Sequence, residues 1–173
     1  LKSDAAGAYI ARGLTYEMMQ KYEEAVTDYT QAISLNDKSA ESYNGRGVAY
    51  DKLQRYDEAI ADFSRAVELQ PEASLAFANR AGTYRTMKKY DEAIADFSQV
   101  LKLEPEAADI YVERARTYGA AGKTDEAIAD LSKAIELQGN NPERYNERGI
   151  AYSVLGNKDK ESLDDFSKAI SLN

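Results

Sequence analysis

Tyr22-Glu-Glu-Ala-Val-Thr-Asp-Tyr29 is followed 34 residues later by Tyr56-Asp-Glu-Ala-Ile-Ala-Asp-Phe63. The segment returns as Tyr90-Asp-Glu-Ala-Ile-Ala-Asp-Phe97 and as Thr124-Asp-Glu-Ala-Ile-Ala-Asp-Leu131, each at the same step. A second series keeps the step: Arg12-Gly13, Arg46-Gly47, Arg80-Ala81, Arg114-Ala115 and Arg148-Gly149. Tyr16, Tyr50, Tyr84, Tyr118 and Tyr152 form a third. Self-similarity at one fixed period marks a repeat architecture, in which a unit buries its apolar face only by stacking on its neighbours.

The register frames five units: 6–39, 40–73, 74–107, 108–141 and 142–173. The fifth gains one residue between its halves, because Phe166 falls one place late. Leu1 aligns with Leu35, Leu69, Leu103 and Leu137, so residues 1–5 read as the end of a preceding repeat or a linker, and residues 6–173 as a single array. With Leu1 at one end and Asn173 at the other, the chain reads as a piece of a longer array.

Within a unit, apolar and small residues recur at the helical spacing of three and four. Tyr43, Gly47 and Tyr50 line one stripe, and Ala59, Ile60, Phe63, Ala66 and Val67 another, with the polar break Gln54-Arg55 between. Pro71, Pro105, and Gly139 with Pro142 punctuate unit ends. Acidic pairs such as Asp57-Glu58 open the second stripe, where a helix dipole favours negative charge. Each unit thus reads as two antiparallel helices of roughly 12–14 residues.

The units resemble tetratricopeptide repeats, whose pattern runs W-x2-L-G-x2-Y, then A-x3-F, A and P. The second unit supplies Tyr43, Arg46, Gly47, Tyr50, Ala59, Phe63, Ala66 and Pro71 at those places. The resemblance spans essentially the whole chain. Tyr9, Tyr43, Phe77, Tyr111 and Tyr145 replace the tryptophan, and arginine stands throughout where the family usually has leucine. Val100 replaces a small residue and Ser162 an alanine. The implied fold is all-α: an α-solenoid, a right-handed superhelix of antiparallel helix pairs with about ten helices. The tyrosines, recurring at fixed repeat positions, read as core rather than as a stacking strip.

Composition narrows function. The chain has 173 residues, with 22 basic and 30 acidic side chains and a net charge of −8. That balance opposes nucleic-acid binding and attraction to an anionic membrane. Cysteine and histidine are both absent, which removes the commonest nucleophile, general base and zinc ligands. The expectation is no enzyme, no cofactor and no metal. The compartment is open, with the cytoplasm as the default.

Arg12, Arg46, Arg80, Arg114 and Arg148 fall on first helices, and Asp28, Asp62, Asp96, Asp130 and Asp165 precede the aromatic of second helices. A partly buried guanidinium needs a partner. Five two-bond ion pairs within the repeats are expected, each joining the arginine and aspartate of one unit.

The resemblance implies a concave face lined by first helices. The positions there are Ile10, Leu14, Asn44, Val48, Asn79, Arg85, Val112, Glu113, Arg116, Asn146, Glu147 and Ile150. Asparagine carries donor and acceptor together and suits an extended backbone. Val48, Val112 and Ile150 would take its side chains. The expected function is a non-catalytic scaffold binding an extended peptide or partner protein in this groove.

Chaperone-tail receptors of the family use a carboxylate clamp: Lys and Asn from one first helix, Asn from the next, Lys and Arg from the third. The first three units here offer Ile10 and Leu14, Gly45, then Leu75 and Asn79; the next register gives Asn44 and Val48, Asn79, then Asp109 and Glu113; the last ends at Glu143 and Glu147. No register supplies the basic residues, so an acidic chaperone C-terminal tail is not the expected ligand. Asp109, Glu113, Glu143 and Glu147 instead favour a neutral or basic segment. The alternative reading is a structural module that self-assembles through its final helix, where Leu163, Phe166, Ile170 and Leu172 form an uncovered apolar strip and a homo-oligomer would result.

Overall fold

Side chains cap the helices that begin at Ala40 and Pro142. Ser39 accepts a hydrogen bond from the Ser42 backbone N–H at 3.2 Å, and Asn141 accepts one from Glu143 N–H at 2.9 Å, with Pro142 in the first turn behind it. The second helices of the first four repeats lack such caps but carry acidic pairs in the first turn: Glu23 and Glu24, Asp57 and Glu58, Asp91 and Glu92, Asp125 and Glu126. Those charges face the positive end of the helix dipole.

The computed structural model describes residues 2–172, with side chains from residue 5 onward. It is all-α. Ten helices occur among the described residues: α1 (Lys2–Met18), α2 (Tyr22–Leu35), α3 (Ala40–Lys52), α4 (Tyr56–Leu69), α5 (Ser74–Thr86), α6 (Tyr90–Leu103), α7 (Ala108–Ala120), α8 (Thr124–Leu137), α9 (Pro142–Leu155) and α10 (Asp159–Leu172). Residues 2–5, which the repeat register assigns to a preceding repeat or a linker, are helical and continuous with α1. Leu1, whose alignment prompted that reading, lies outside the described residues.

The chain forms two compact units, one ending at Met87 and the other beginning at Lys88. In the first, α1 packs on α2 and α3 on α4, while α2 packs on α3 and α4 on α5. In the second, α7 packs on α8 and α9 on α10, while α6 meets α7 and α8 meets α9. In each unit consecutive helices pack in chain order, as in a solenoid.

The turn between the two helices of each repeat has one conformation. Gln20, Gln54, Lys88, Gly122 and Gly156 all have positive φ, between 58° and 75°, and stand 34 residues apart. Only two are glycine. Three L-residues hold the left-handed conformation because the flanking helices fix the chain on both sides. The extra residue of the fifth repeat sits just after this turn. α10 starts three residues beyond Gly156, whereas α2 starts two beyond Gln20.

Ser162, which replaces an alanine in that repeat, is buried. Its hydroxyl donates to the Gly149 carbonyl at 2.9 Å and lies 2.8 Å from the Ser153 hydroxyl. The polar atom is satisfied, so burying it carries little penalty.

Small residues set how closely helices approach. A Cβ on Gly47 would lie 2.7 Å from the buried Phe63 ring, and one on Gly149 would lie 2.9 Å from Phe166. Phe166 is half-buried against its own repeat and, beside Ala169 and Ile170, borders an open depression between α9 and α10. The one-residue insertion falls in the turn before α10, so the ring still faces Gly149 as Phe63 faces Gly47.

Candidate functional site

The arginine positions become clasps. Arg46 donates through Nε and Nη2 to Asp62 at 2.7 and 2.8 Å, and through Nη1 to Thr30 at 3.1 Å. Arg114 bonds Asp130 at 2.7 and 2.8 Å and Ser98 at 2.9 Å. Arg148 bonds Asp165 at 2.7 and 2.8 Å and Ser132 at 3.0 Å. Arg12 bonds Asp28 at 2.6 and 2.7 Å with its own side chain largely exposed. Arg80 donates to Ser64 at 2.9 Å; Asp96 belongs to the other unit.

Each clasp also lies over rings: Arg46 is 5.7 Å from the Tyr43 centroid and 5.8 Å from that of Tyr50. Arg114 and Arg148 stand likewise between Tyr111 and Tyr118, and between Tyr145 and Tyr152. Cation–π attraction adds to the charge-assisted bonds. The hydrogen bonds to Asp62, Asp130 and Asp165 push the three guanidinium groups further up from their already high values. The hydroxyls of Thr30, Ser64, Ser98 and Ser132 are the part that sequence reasoning missed. Their signal was present, since they too recur at 34 residues, directly after the aromatic position. Through them an arginine ties its own helix pair to the second helix of the preceding repeat.

On the first-helix face of the first unit, the Asn79 side-chain N–H donates to Asn44 Oδ1 at 3.0 Å, joining α5 to α3. Val48 lies one helical turn from Asn44, half-buried, and Leu14 and Ile10 belong to the same face on α1. Arg85 is half-buried on α5. Below this face the fully buried Tyr29 donates its hydroxyl to Glu17. Burial pushes the Glu17 carboxyl up, with the Tyr29 bond and the charge of Lys52 opposing it. Burial likewise raises Tyr29, and the bond to Glu17 raises it further.

A carboxyl whose folded value is raised binds more protons in the native state than in the unfolded one. Its contribution to stability is then full below about pH 4.5 and is lost as pH rises through the folded value. Glu17→Gln keeps an acceptor for Tyr29 without the charge. The variant's stability relative to the parent should therefore increase as the pH of urea titrations goes from 4 to 7. A difference that is flat or falls with pH contradicts the assignment.

The second unit carries a charged first-helix face. Arg116 bonds Glu147 through Nη2 at 2.5 Å and Glu113 through Nη1 at 2.6 Å. Arg144, which sequence reasoning did not single out, is buried. It donates to Asp109 at 2.6 Å and to the carbonyls of Ala134 and Gln138, each at 3.1 Å. Four carboxylates (Asp109, Glu113, Glu143, Glu147) thus share the face with two guanidinium groups. Asn146 and Ile150 are exposed on α9.

Val112 departs from expectation. It is only 6% exposed and packs with Ala115, Ala127, Leu131 and Ala134 instead of offering an apolar edge to a ligand. It shares its repeat position with Asn44 and Asn146, and an aliphatic side chain there turns inward where an amide stays out. On α10, Leu163 and Ile170 are 66% and 76% exposed, and Leu172 is half-buried.

No group of three or more residues suited to a metal ion occurs among the described residues. Among them, no helix is long and apolar enough to cross a membrane.

Repeated helix pairs with this register define a class. Tetratricopeptide-repeat models match residues 18–54, 40–72 and 84–147, together more than half of the chain. The chain belongs to the tetratricopeptide repeat family. No curated protein sequence matches it. Among solved structures, a crystal structure of MamA is similar at a TM-score of 0.89 and 21% identity, covering 98% of this chain and 92% of that one. MamA 41-end from Desulfovibrio magneticus RS-1 is similar at 0.89 and 20% identity, covering 99% and 97%. YrrB, described as a TPR protein with an unusual peptide-binding site, is similar at 0.80 and 19% identity, covering 95% and 84%. At these identities the likeness concerns the fold.

Proposed function

We propose that the chain is a non-catalytic scaffold that binds an extended peptide, or an extended segment of a partner protein, on the first-helix face of its repeats. The observation that carries this reading is the Asn44–Asn79 bond. It uses one N–H and one acceptor site. The Asn44 amide donors and the Asn79 carbonyl oxygen remain to pair with a peptide backbone. Holding each amide by the other fixes both in place before a ligand arrives, which lowers the ordering cost of binding. The peptide-binding description of YrrB is in keeping with this reading. So is the family's use of repeat surfaces for protein partners.

The partner is protein rather than nucleic acid or membrane, given the net charge of −8. On the second unit the excess of carboxylates over guanidinium groups suits a neutral or basic segment and disfavours an acidic tail.

The test is selection from a random peptide library, followed by calorimetry on the parent and on Asn44→Ala/Asn79→Ala. A shared motif should bind the parent and lose about tenfold or more in affinity on the double variant, the worth of two or so hydrogen bonds. Equal affinity for both proteins removes the amide pair from the site. A second reading, self-association, is favoured by the exposed Leu163 and Ile170 on α10. It replaces the first if no peptide is recovered and the sedimentation mass rises with concentration in the parent but not in Leu163→Glu/Ile170→Glu.

A further inference from the structure

A cleft of about 340 Å³ opens in the second unit, bounded by α7, α8 and α9. Thr124, Ala127, Leu131, Ala151, Ile150 and Val154 give it an almost wholly apolar lining. Arg116 and Glu147, bonded to one another, also border it. Ile150 and Val154 are 51% and 68% exposed.

The repeat itself indicates what shape is missing. Thr124, Ala127, Leu131 and Ala151 stand three repeats after Tyr22, Ala25, Tyr29 and Ala49. Where the first repeat meets the second, those four pack together. Ala25, Tyr29 and Ala49 form a buried cluster, and Tyr22 packs against it. The alanines are kept as Ala127 of the fourth repeat and Ala151 of the fifth, but both rings are gone. The second and third repeats keep rings at both places, Tyr56 with Phe63 and Tyr90 with Phe97. The fourth repeat is thus the one that supplies neither ring, although the small residues that frame two rings, Ala127 and Ala151, are retained around it.

We infer that this cleft receives an aromatic side chain, of tyrosine size, from a partner chain. The apolar floor takes the ring face, and the Arg116–Glu147 pair at its border supplies polar atoms for a phenolic hydroxyl. The inference rests on the peptide-binding reading for the source of the ring, but the ring site itself does not.

The experiment therefore has two arms on the whole chain. In the first, p-cresol, the tyrosine side-chain analogue, is titrated into protein labelled at Ile, Leu and Val methyls. Saturable shifts at Leu131, Ile150 and Val154 are expected, with a dissociation constant on the order of 1 mM. Leu131→Phe restores a ring from within and should abolish them. Thr124→Tyr fills the same space from the other side, so the result does not hang on one variant's folding. Absent shifts, or equal shifts in both folded variants, overturn the ring site.

In the second arm, peptides are selected against the parent and against Leu131→Phe. The proposal expects an aromatic residue shared by the parent's peptides and lost from the variant's. If p-cresol binds while the recovered peptides bind both proteins equally, the partner-chain source is overturned and the peptide reading survives. If p-cresol binds and no peptide is recovered, it is the peptide reading that fails, and the partner source with it.

Discussion

Arg46→Leu will destabilise the chain by about 3–5 kcal/mol, because it leaves a buried carboxylate without its counter-charge. Asp62 is only 6% exposed and takes two bonds from this one guanidinium. The arginine also reaches Thr30 and lies over two tyrosine rings, so its loss loosens α3 from α2 as well as from α4. Removing the charge at both ends is different. Arg46→Leu/Asp62→Leu replaces an ion pair by apolar bulk and should recover most of the loss. Chemical denaturation of the two single variants and the double variant measures this as a coupling energy. If either single variant is as stable as the parent, the clasp is not a source of stability.

Gly45→Ala carries the second large effect. In an ordinary helix interior this change gains about 1 kcal/mol, because alanine is the better helix former. Here a Cβ would lie 2.5 Å from Tyr29 Cζ and 2.8 Å from its hydroxyl oxygen, and Tyr29 is fully buried. The ring cannot swing away without disturbing the core, so a net loss of about 1–3 kcal/mol is expected. In a Tyr29→Leu background the same change should cost little. Leu131 of the fourth repeat is already followed by Glu147 of the fifth, which bears a side chain at the position equivalent to Gly45. A stabilised Gly45→Ala would show that the helices part easily and that the close approach is incidental.

The fold was legible because period is a property of sequence alone. Tyr22, Tyr56 and Tyr90 announce the step, and five arginines in register leave no other framing. Depth was harder to read. Spacing says which face of a helix a residue occupies but not how near the next helix lies. Val112 and Asn44 share a repeat position, yet one is buried and the other is not. Gly45 stood outside the regular small-residue series, since its cause is the close approach of one ring, that of Tyr29.

Arg144 was invisible for another reason. Its partners include backbone carbonyls at the end of α8, and a sequence does not display those. The cleft is legible only in retrospect, as two rings that the fourth repeat lacks. The amide pair lies between. Asn44 and Asn79 could be placed on one face from the register, but the bond between them depends on how closely α3 and α5 lie.

The most direct test of the central claim is to follow the side-chain amide resonances of Asn44 and Asn79 by NMR while a library-selected peptide is added. The account expects both amides to shift together, saturating with the peptide's own dissociation constant. Shifts confined to the outer faces of α2 and α4, with both amides unmoved, would contradict it and place the binding surface on the second helices.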